Sequence, residues 1–383
     1  MPCVTVAVYK ESLMKKYLYP IIFSIIIVLS IVAIFMQTSP SIKLYPLIKS
    51  NINKTIISPE TIISPVIGIE KIEDDKILII SLDTFVEHKG EKIRIHLRNG
   101  KISYVRIDLD RKNAEVIWNY SLNGYRIFSY PHVKNGSIIV AVVDSRTFNK
   151  SEILKISDQK VGKIATVKFQ VLRINSFEDG KILLTGSRDK CGKVVLLENS
   201  SKILDVDLGN RTMDSLILDV NGDGYKDFLV SGSIFSEGFV SVFLNTFSGF
   251  REVKRIKIPN DIVWDIRFAN LGKEKIVLFG PKGIYLLNLQ NYNVETLFKS
   301  EDNYYLSQIE VTDLDHDGFD EFFCVYHNET QCYFIELEYS SGKLYPILKY
   351  PINLEGCFAL KHIKNNNFIV SSPYGDLYLM KLV

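Results

Sequence analysis

The chain has 383 residues, of which 46% are hydrophobic and 11% aromatic, and its net charge is +2. That composition excludes a disordered protein, and the near-neutral balance supplies no global field for nucleic acid, so no nucleic-acid partner is expected. The length is enough for one large core or two modest ones.

The first distinct element runs from Tyr17 to Met36, 20 residues without a charge. A helix of that length crosses a hydrocarbon core of about 30 Å. Lys10, Lys15 and Lys16 precede it against Glu11 alone. Positive flanks stay in the cytoplasm, so residues 1–16 are expected inside, 17–36 as a transmembrane helix and the rest outside the cell. A cleaved signal peptide would have an apolar stretch of roughly 7–15 residues ending in small residues. This run is longer, and its exit, Met36-Gln-Thr-Ser-Pro40, has no such site, so an uncleaved anchor is expected. Asn-x-Ser/Thr sites at Asn53, Asn119, Asn135, Asn149, Asn199, Asn210 and Asn328 agree with an exported, glycosylated body. Cys3 falls on the inner side, and Cys191, Cys324, Cys332 and Cys357 fall outside. The outer four could pair or remain buried thiols, because spacing does not fix connectivity. Cys324 and Cys332 flank a short turn and are expected on neighbouring strands.

Residues 37–64 form a linker containing Pro40, Pro46 and Pro59. From residue 65 to 383 one pattern recurs: an apolar strand, a polar turn, then a polar residue leading four or five apolar ones. The leading pairs are Lys76-Ile77, Ser137-Ile138, Lys181-Ile182, Asp227-Phe228, Lys275-Ile276, Glu321-Phe322 and Asn367-Phe368, at intervals of 61, 44, 46, 48, 46 and 46 residues. A strand-built period of this length indicates propeller blades of four strands. A two-sheet sandwich would explain the strands but not the even interval. The fold expected is therefore all-β, a seven-bladed β-propeller preceded by one transmembrane α-helix. The long first interval implies an elaborated first blade between Lys89 and Lys101. The last unit ends at Gly375-Asp-Leu-Tyr-Leu-Met-Lys-Leu-Val383, a third strand with no fourth. An open edge is a hazard, so a stretch within Asn51 to Ile63 is expected to complete the last blade and close the ring.

Two turns stand out. Asp219-Val-Asn221-Gly-Asp223-Gly224-Tyr225-Lys-Asp227 and Asp313-Leu-Asp315-His-Asp317-Gly318-Phe319-Asp-Glu321 place oxygen-bearing side chains at positions 1, 3, 5 and 9, with Gly at 6. Calcium takes six to eight oxygens and tolerates irregular geometry, whereas magnesium demands a stricter octahedron. The expected ligands are the side chains of Asp219, Asn221, Asp223 and Asp227 with the Tyr225 carbonyl, and those of Asp313, Asp315, Asp317 and Glu321 with the Phe319 carbonyl. An EF-hand needs flanking helices and a bidentate acid at position 12. Here position 12 is Val230 or Cys324 and the flanks read as strands. Plain acidic turns are the competing reading, since Asp, Asn and Gly favour turns anyway.

These two segments, each between strands of a 46-residue unit, resemble FG-GAP/VCBS repeats of integrin-α type. The resemblance implies a β-propeller in which such loops hold calcium. The other five units match it in hydrophobic pattern only. A second segment, Ile107 to Trp118, is similar to a blade of quinoprotein-type propellers, a family that includes quinone-dependent dehydrogenases and non-catalytic scaffolds.

No catalytic constellation is legible. The six histidines, at 88, 96, 132, 316, 327 and 362, are scattered, and no nucleophile-elbow, zinc or phosphate-loop motif occurs. The expected function is a membrane-anchored extracellular binding or scaffold module, stabilised by calcium, for a protein or glycan ligand. The alternative is a propeller enzyme working in the central channel, a polysaccharide lyase or a quinone-dependent dehydrogenase. That alternative requires titratable side chains from several blades to converge on the ring axis.

Overall fold

The computed structural model describes residues 42–48, 60–63 and 66–382, apart from short internal stretches of which 353–358 is the longest. The expected transmembrane helix at 17–36, the inner segment 1–16, Cys3 and Cys357 lie outside the described residues. No helix among the described residues is long and apolar enough to cross a membrane.

Seven antiparallel sheets follow one another along the chain, as a seven-bladed propeller requires. The first strands of the blades are Val66–Glu73, His132–Lys134, Gln170–Ser176, Arg211–Leu218, Asp265–Asn270, Tyr305–Thr312 and Ala359–Lys364. Each pairs with the second strand of its blade, and from there the sheet steps outward in sequence order, except that the outermost strand of blade 7 comes from the start of the chain. Blade 2 departs from this plan, because two short segments, Tyr125–Ile127 and His132–Lys134, share the edge of its second strand. Blade 1 carries the expected elaboration. Its second and third strands, Lys76–Lys89 and Lys92–Asp108, pair over an extended hairpin, and Glu60–Ile63 adds to the far end.

The second strands explain why the sequence shows unbroken apolar runs. A blade packs against a neighbour on each side, so both faces of a central strand are buried. In blade 6, Phe322, Phe323 and Cys324 have no exposure at all. Phe322, Cys324 and Tyr326 pack with Val277 and Phe279 of blade 5. Phe323 turns the other way and meets Phe368 of blade 7 at a ring separation of 4.8 Å. The same two-sided pattern recurs between blades 1 and 2, 2 and 3, 3 and 4, 4 and 5, and 7 and 1.

The ring closes, but through a different segment from the one expected. Ile42–Ile48 is the fourth strand of the last blade, beside Leu377–Leu382. Of the expected stretch Asn51 to Ile63, Glu60–Ile63 pairs instead with the second strand of blade 1, and 51–59 lie outside the described residues. The closing strand contains Pro46, which the sequence reading places in a linker. An outermost strand presents one edge to solvent, where a proline need not donate to a ladder. Outer strand Lys343–Pro351 of blade 6 carries Pro346 and Pro351 in the same way.

Cys324 and Cys332 do lie on adjacent strands, but Cys324 faces Ile335 and Cys332 faces His327. Both are free thiols, as is Cys191.

Two glycines on second strands are structurally required. A Cβ at Gly186 would collide with the Gln170 carbonyl, and one at Gly232 with the Arg211 carbonyl. Gly186→Ala and Gly232→Ala should each destabilise the propeller by at least about 2 kcal/mol in urea unfolding; a change within about 0.5 kcal/mol would contradict this account of the close strand approach.

Candidate functional site

The two acidic turns connect the first and second strands of blades 4 and 6, as expected from sequence. Their internal hydrogen bonding matches. In the first, Asp219 accepts from the N–H groups of Gly222 and Gly224 at 2.7 and 2.8 Å. Asp223 accepts from Tyr225 at 2.8 Å, and Asp227 from Val220 at 2.9 Å. In the second, Asp313 accepts from Gly318 at 3.1 Å, Asp317 from Phe319 at 2.8 Å and Glu321 from Leu314 at 2.6 Å. Gly224 and Gly318 adopt φ of 85° and 91°, the left-handed region that position 6 requires.

The turns differ in what remains for a cation. Asp313, Asp315, Asp317 and Glu321 each offer an oxygen, and these lie within 4.8 Å of one another. Asp313 Oδ1 is buried and accepts no hydrogen bond. Burial, with the charges of Asp315, Asp313 and Asp317 beside it, pushes the Glu321 carboxyl up to about 7. A bound divalent cation would reverse that repulsion, so this residue set fits calcium. In the first turn both Asp219 oxygens accept backbone N–H groups. Asn221 there donates its amide to Asp223 Oδ2 at 2.9 Å, so that turn satisfies itself more fully. Tyr225 and Phe319 occupy matching places and leave their side chains 66% and 39% exposed. The second turn is also docked: Asn270 of blade 5 donates its amide to the Gly318 carbonyl at 2.8 Å.

A second cluster was not foreseen. Seven charged side chains from the first strands of six blades converge on the axis, where they line a cavity of about 440 Å³. They form one chain of ion pairs. Lys361 reaches Glu70 at 3.3 Å and Glu310 at 3.4 Å. Arg267 reaches Glu310 at 3.5 Å and Asp265 at 2.9 Å. Arg173 stands 4.0 Å from Asp265 and 2.7 Å from Asp214. Asp214 is 2% exposed and also accepts the N–H of Ile266 from the next blade at 2.9 Å. The strand registers place Glu70, His132, Arg267, Glu310 and Lys361 at corresponding points, opposite Leu78, Ile139, Val277, Phe323 and Ile369.

The chain holds four carboxylates against three cations, and the two blade 4–5 carboxyls divide the imbalance. Burial and the adjacent Asp265 push Asp214 up to about 7, although Arg173 opposes this. Burial also penalises Asp265, but Arg267 and Arg173 outweigh it and hold that carboxyl well below the usual range. The only sequence signal for this cluster was a single charge flanked by apolar residues, as in Leu172-Arg173-Ile174, Ile266-Arg267-Phe268 and Ile309-Glu310-Val311.

A carboxyl whose folded pKa lies above its unfolded value stabilises the fold at low pH and loses that contribution as pH rises through the folded pKa. Asp214 should therefore make the protein progressively less stable from about pH 4 to about pH 7. Asp214→Asn should flatten the fall in melting temperature across that window; an identical slope in both proteins would refute the raised carboxyl.

No family profile matches the chain, and no curated protein matches it. Solved structures do. The WD40 propeller domain of Doa1 superposes with a TM-score of 0.53 at 14% identity, covering 84% of this chain and 95% of that one. The extracellular domain of a hybrid two-component system protein from B. thetaiotaomicron gives 0.52 at 10% identity, over 88% of this chain and 40% of that one. A chain of the mitotic checkpoint complex gives 0.54 at 10% identity, over 88% and 96%. At these identities the likeness establishes the propeller fold.

Proposed function

We propose that the protein is a binding module: a propeller whose blade 6 turn, and more weakly its blade 4 turn, takes calcium, and whose surface receives a protein or glycan ligand. In this reading residues 17–36 anchor it in a membrane with the propeller outside the cell, and the FG-GAP-like turns serve stability rather than turnover. The observation that carries the calcium assignment is the buried Asp313 Oδ1, left without a hydrogen bond inside a cluster of four acids. Protein binding is also in keeping with the propellers it superposes on, one of them part of a checkpoint complex.

The convergence of titratable groups on the axis favours the alternative, an enzyme of the central channel. The pairing of those groups weighs against it. Each axial cation of the ion-pair chain is committed to a carboxylate, and Asp214, the axial carboxyl poised near neutrality, is buried against Arg173. A general acid or base must come within hydrogen-bond reach of its substrate, and Asp214 offers little surface for that.

Calcium at a hundred times its Kd should stabilise the full chain by about 2.7 kcal/mol, read as a raised melting temperature. The double variant Asp313→Ala/Asp315→Ala should lose most of that gain. A wild-type protein indifferent to calcium in calorimetry would remove the assignment. Affinity capture with the full chain, with and without calcium, tests the binding role, and a partner retained only with calcium is the expected result. Protease added to intact cells should digest the propeller and spare residues 1–16; a protected propeller would reverse the orientation.

A further inference from the structure

The axial cavity has features that the ion-pair chain does not explain. Part of its lining lies at the entry ends of the first strands, where Arg211 opens the strand of blade 4 and Trp264 immediately precedes that of blade 5, and from there it reaches inward to mid-strand residues such as Glu70 and Glu310. The acidic turns follow the exit ends of such strands, so Arg211 and Trp264 lie at the opposite ends of the strands from the turns. Three of the first strands bulge at the cavity. Their ladders skip between Val171 and Arg173, between Thr212 and Asp214, and between Leu306 and Ile309. The residues left over, Leu172, Met213 and Ser307-Gln308, all line the cavity. Bulges re-aim side chains and are common beside functional sites. Gly186 and Gly232 stand across from the first two bulges and have no room for a side chain, so the local backbone is built around these irregularities.

Charge then discriminates among ligands. Four cations line the cavity. Arg173, Arg267 and Lys361 are held by the carboxylates already described. Arg211 is exposed and has no ion-pair partner among the described residues. The same lining contains an indole, Trp264, and the apolar Met213 and Leu172. A lone guanidinium matches a planar carboxylate in a two-pronged pair. The four cations of the lining balance its four carboxylates, so one ligand carboxylate can take the unpaired Arg211 guanidinium, whereas a phosphate dianion would bring a second negative charge toward those carboxylates with no further unpaired cation to meet it. We propose that this bulge-lined cavity binds a small organic monocarboxylate, its carboxylate on Arg211 and its apolar or aromatic body against Trp264 and Met213. A cavity of about 440 Å³ falls within the size range of small-molecule sites.

The test uses phenylacetate as the probe, with phenylacetamide as its neutral counterpart and phenylphosphonate as its dianionic one. Binding to the full chain is read by titration calorimetry. It is also read by the fluorescence of Trp264 in a Trp118→Phe background, where Trp264 is the remaining tryptophan of two. Phenylacetate should bind at least roughly tenfold more tightly than the amide and the phosphonate, and should perturb Trp264 emission. Arg211→Ala should erase that preference without moving the melting temperature, because its side chain is exposed. Asp313→Ala, at the opposite strand ends, should leave phenylacetate binding intact whether or not calcium binding survives, which separates this inference from the calcium reading. Equal affinity for acid and amide, tighter binding of the phosphonate, no binding at all, or an Arg211→Ala protein that still prefers the acid would each overturn it.

Discussion

Two-sided burial of the second strands is the constraint on which the rest of the protein depends. A sheet in water can leave one face wet, but a blade between two blades cannot. Runs such as Phe-Phe-Cys-Val-Tyr326 satisfy that demand by sending alternate side chains to opposite neighbours. Once seven such sheets stand side by side, the first strands must meet at the axis and the strand connections must emerge on two faces. The position of both candidate sites follows from this geometry. The acidic turns lie where first strands hand over to second strands, and the Arg211 end of the cavity lies where first strands begin.

The axis must also resolve an electrostatic problem. Charges drawn away from water are costly unless paired, and the blades supply them in alternation from Glu70 through Lys361, Glu310 and Arg267 to Asp265. The last links, Arg173 and Asp214, draw in blades 3 and 4. Asp214 also bonds backbone of blade 5, so the chain of charges ties neighbouring blades as well as filling their centre. Surface ion pairs contribute little to stability. Partly buried and linked ones hold the first strands of neighbouring blades together at the axis, and here they leave Arg211 as the one lining cation with no ion pair among the described residues.

The blade count, the elaborated first blade and the positions of both acidic turns were legible in the sequence because each rests on local pattern: apolar runs of fixed spacing, or oxygen donors around a glycine. The axial cluster was not. Arg173, Asp214, Arg267, Glu310 and Lys361 belong to no motif, and their significance arises only when strands from separate blades are brought together. The closing strand was misplaced for a related reason. Pro46 reads as a linker residue until Ile42–Ile48 is seen at an outer edge, where a proline is tolerated. The turns were read as equivalent, and only their hydrogen bonds distinguish them: Asp219 is satisfied by backbone, whereas Asp313 keeps one oxygen in reserve.

The clasp between Ile42–Ile48 and Leu377–Leu382 has a consequence for biosynthesis. The earliest strand of the ring must wait for the latest, with more than three hundred residues emerging from the ribosome in between. Until then blade 7 has no outer strand and blade 1 no neighbour on its blade 7 side, so two apolar surfaces stand uncovered on the growing chain. Such surfaces promote aggregation, and the slow, long-range step of joining them comes last. Control over the yield of this protein therefore resides in how the cell shelters an unclosed circle.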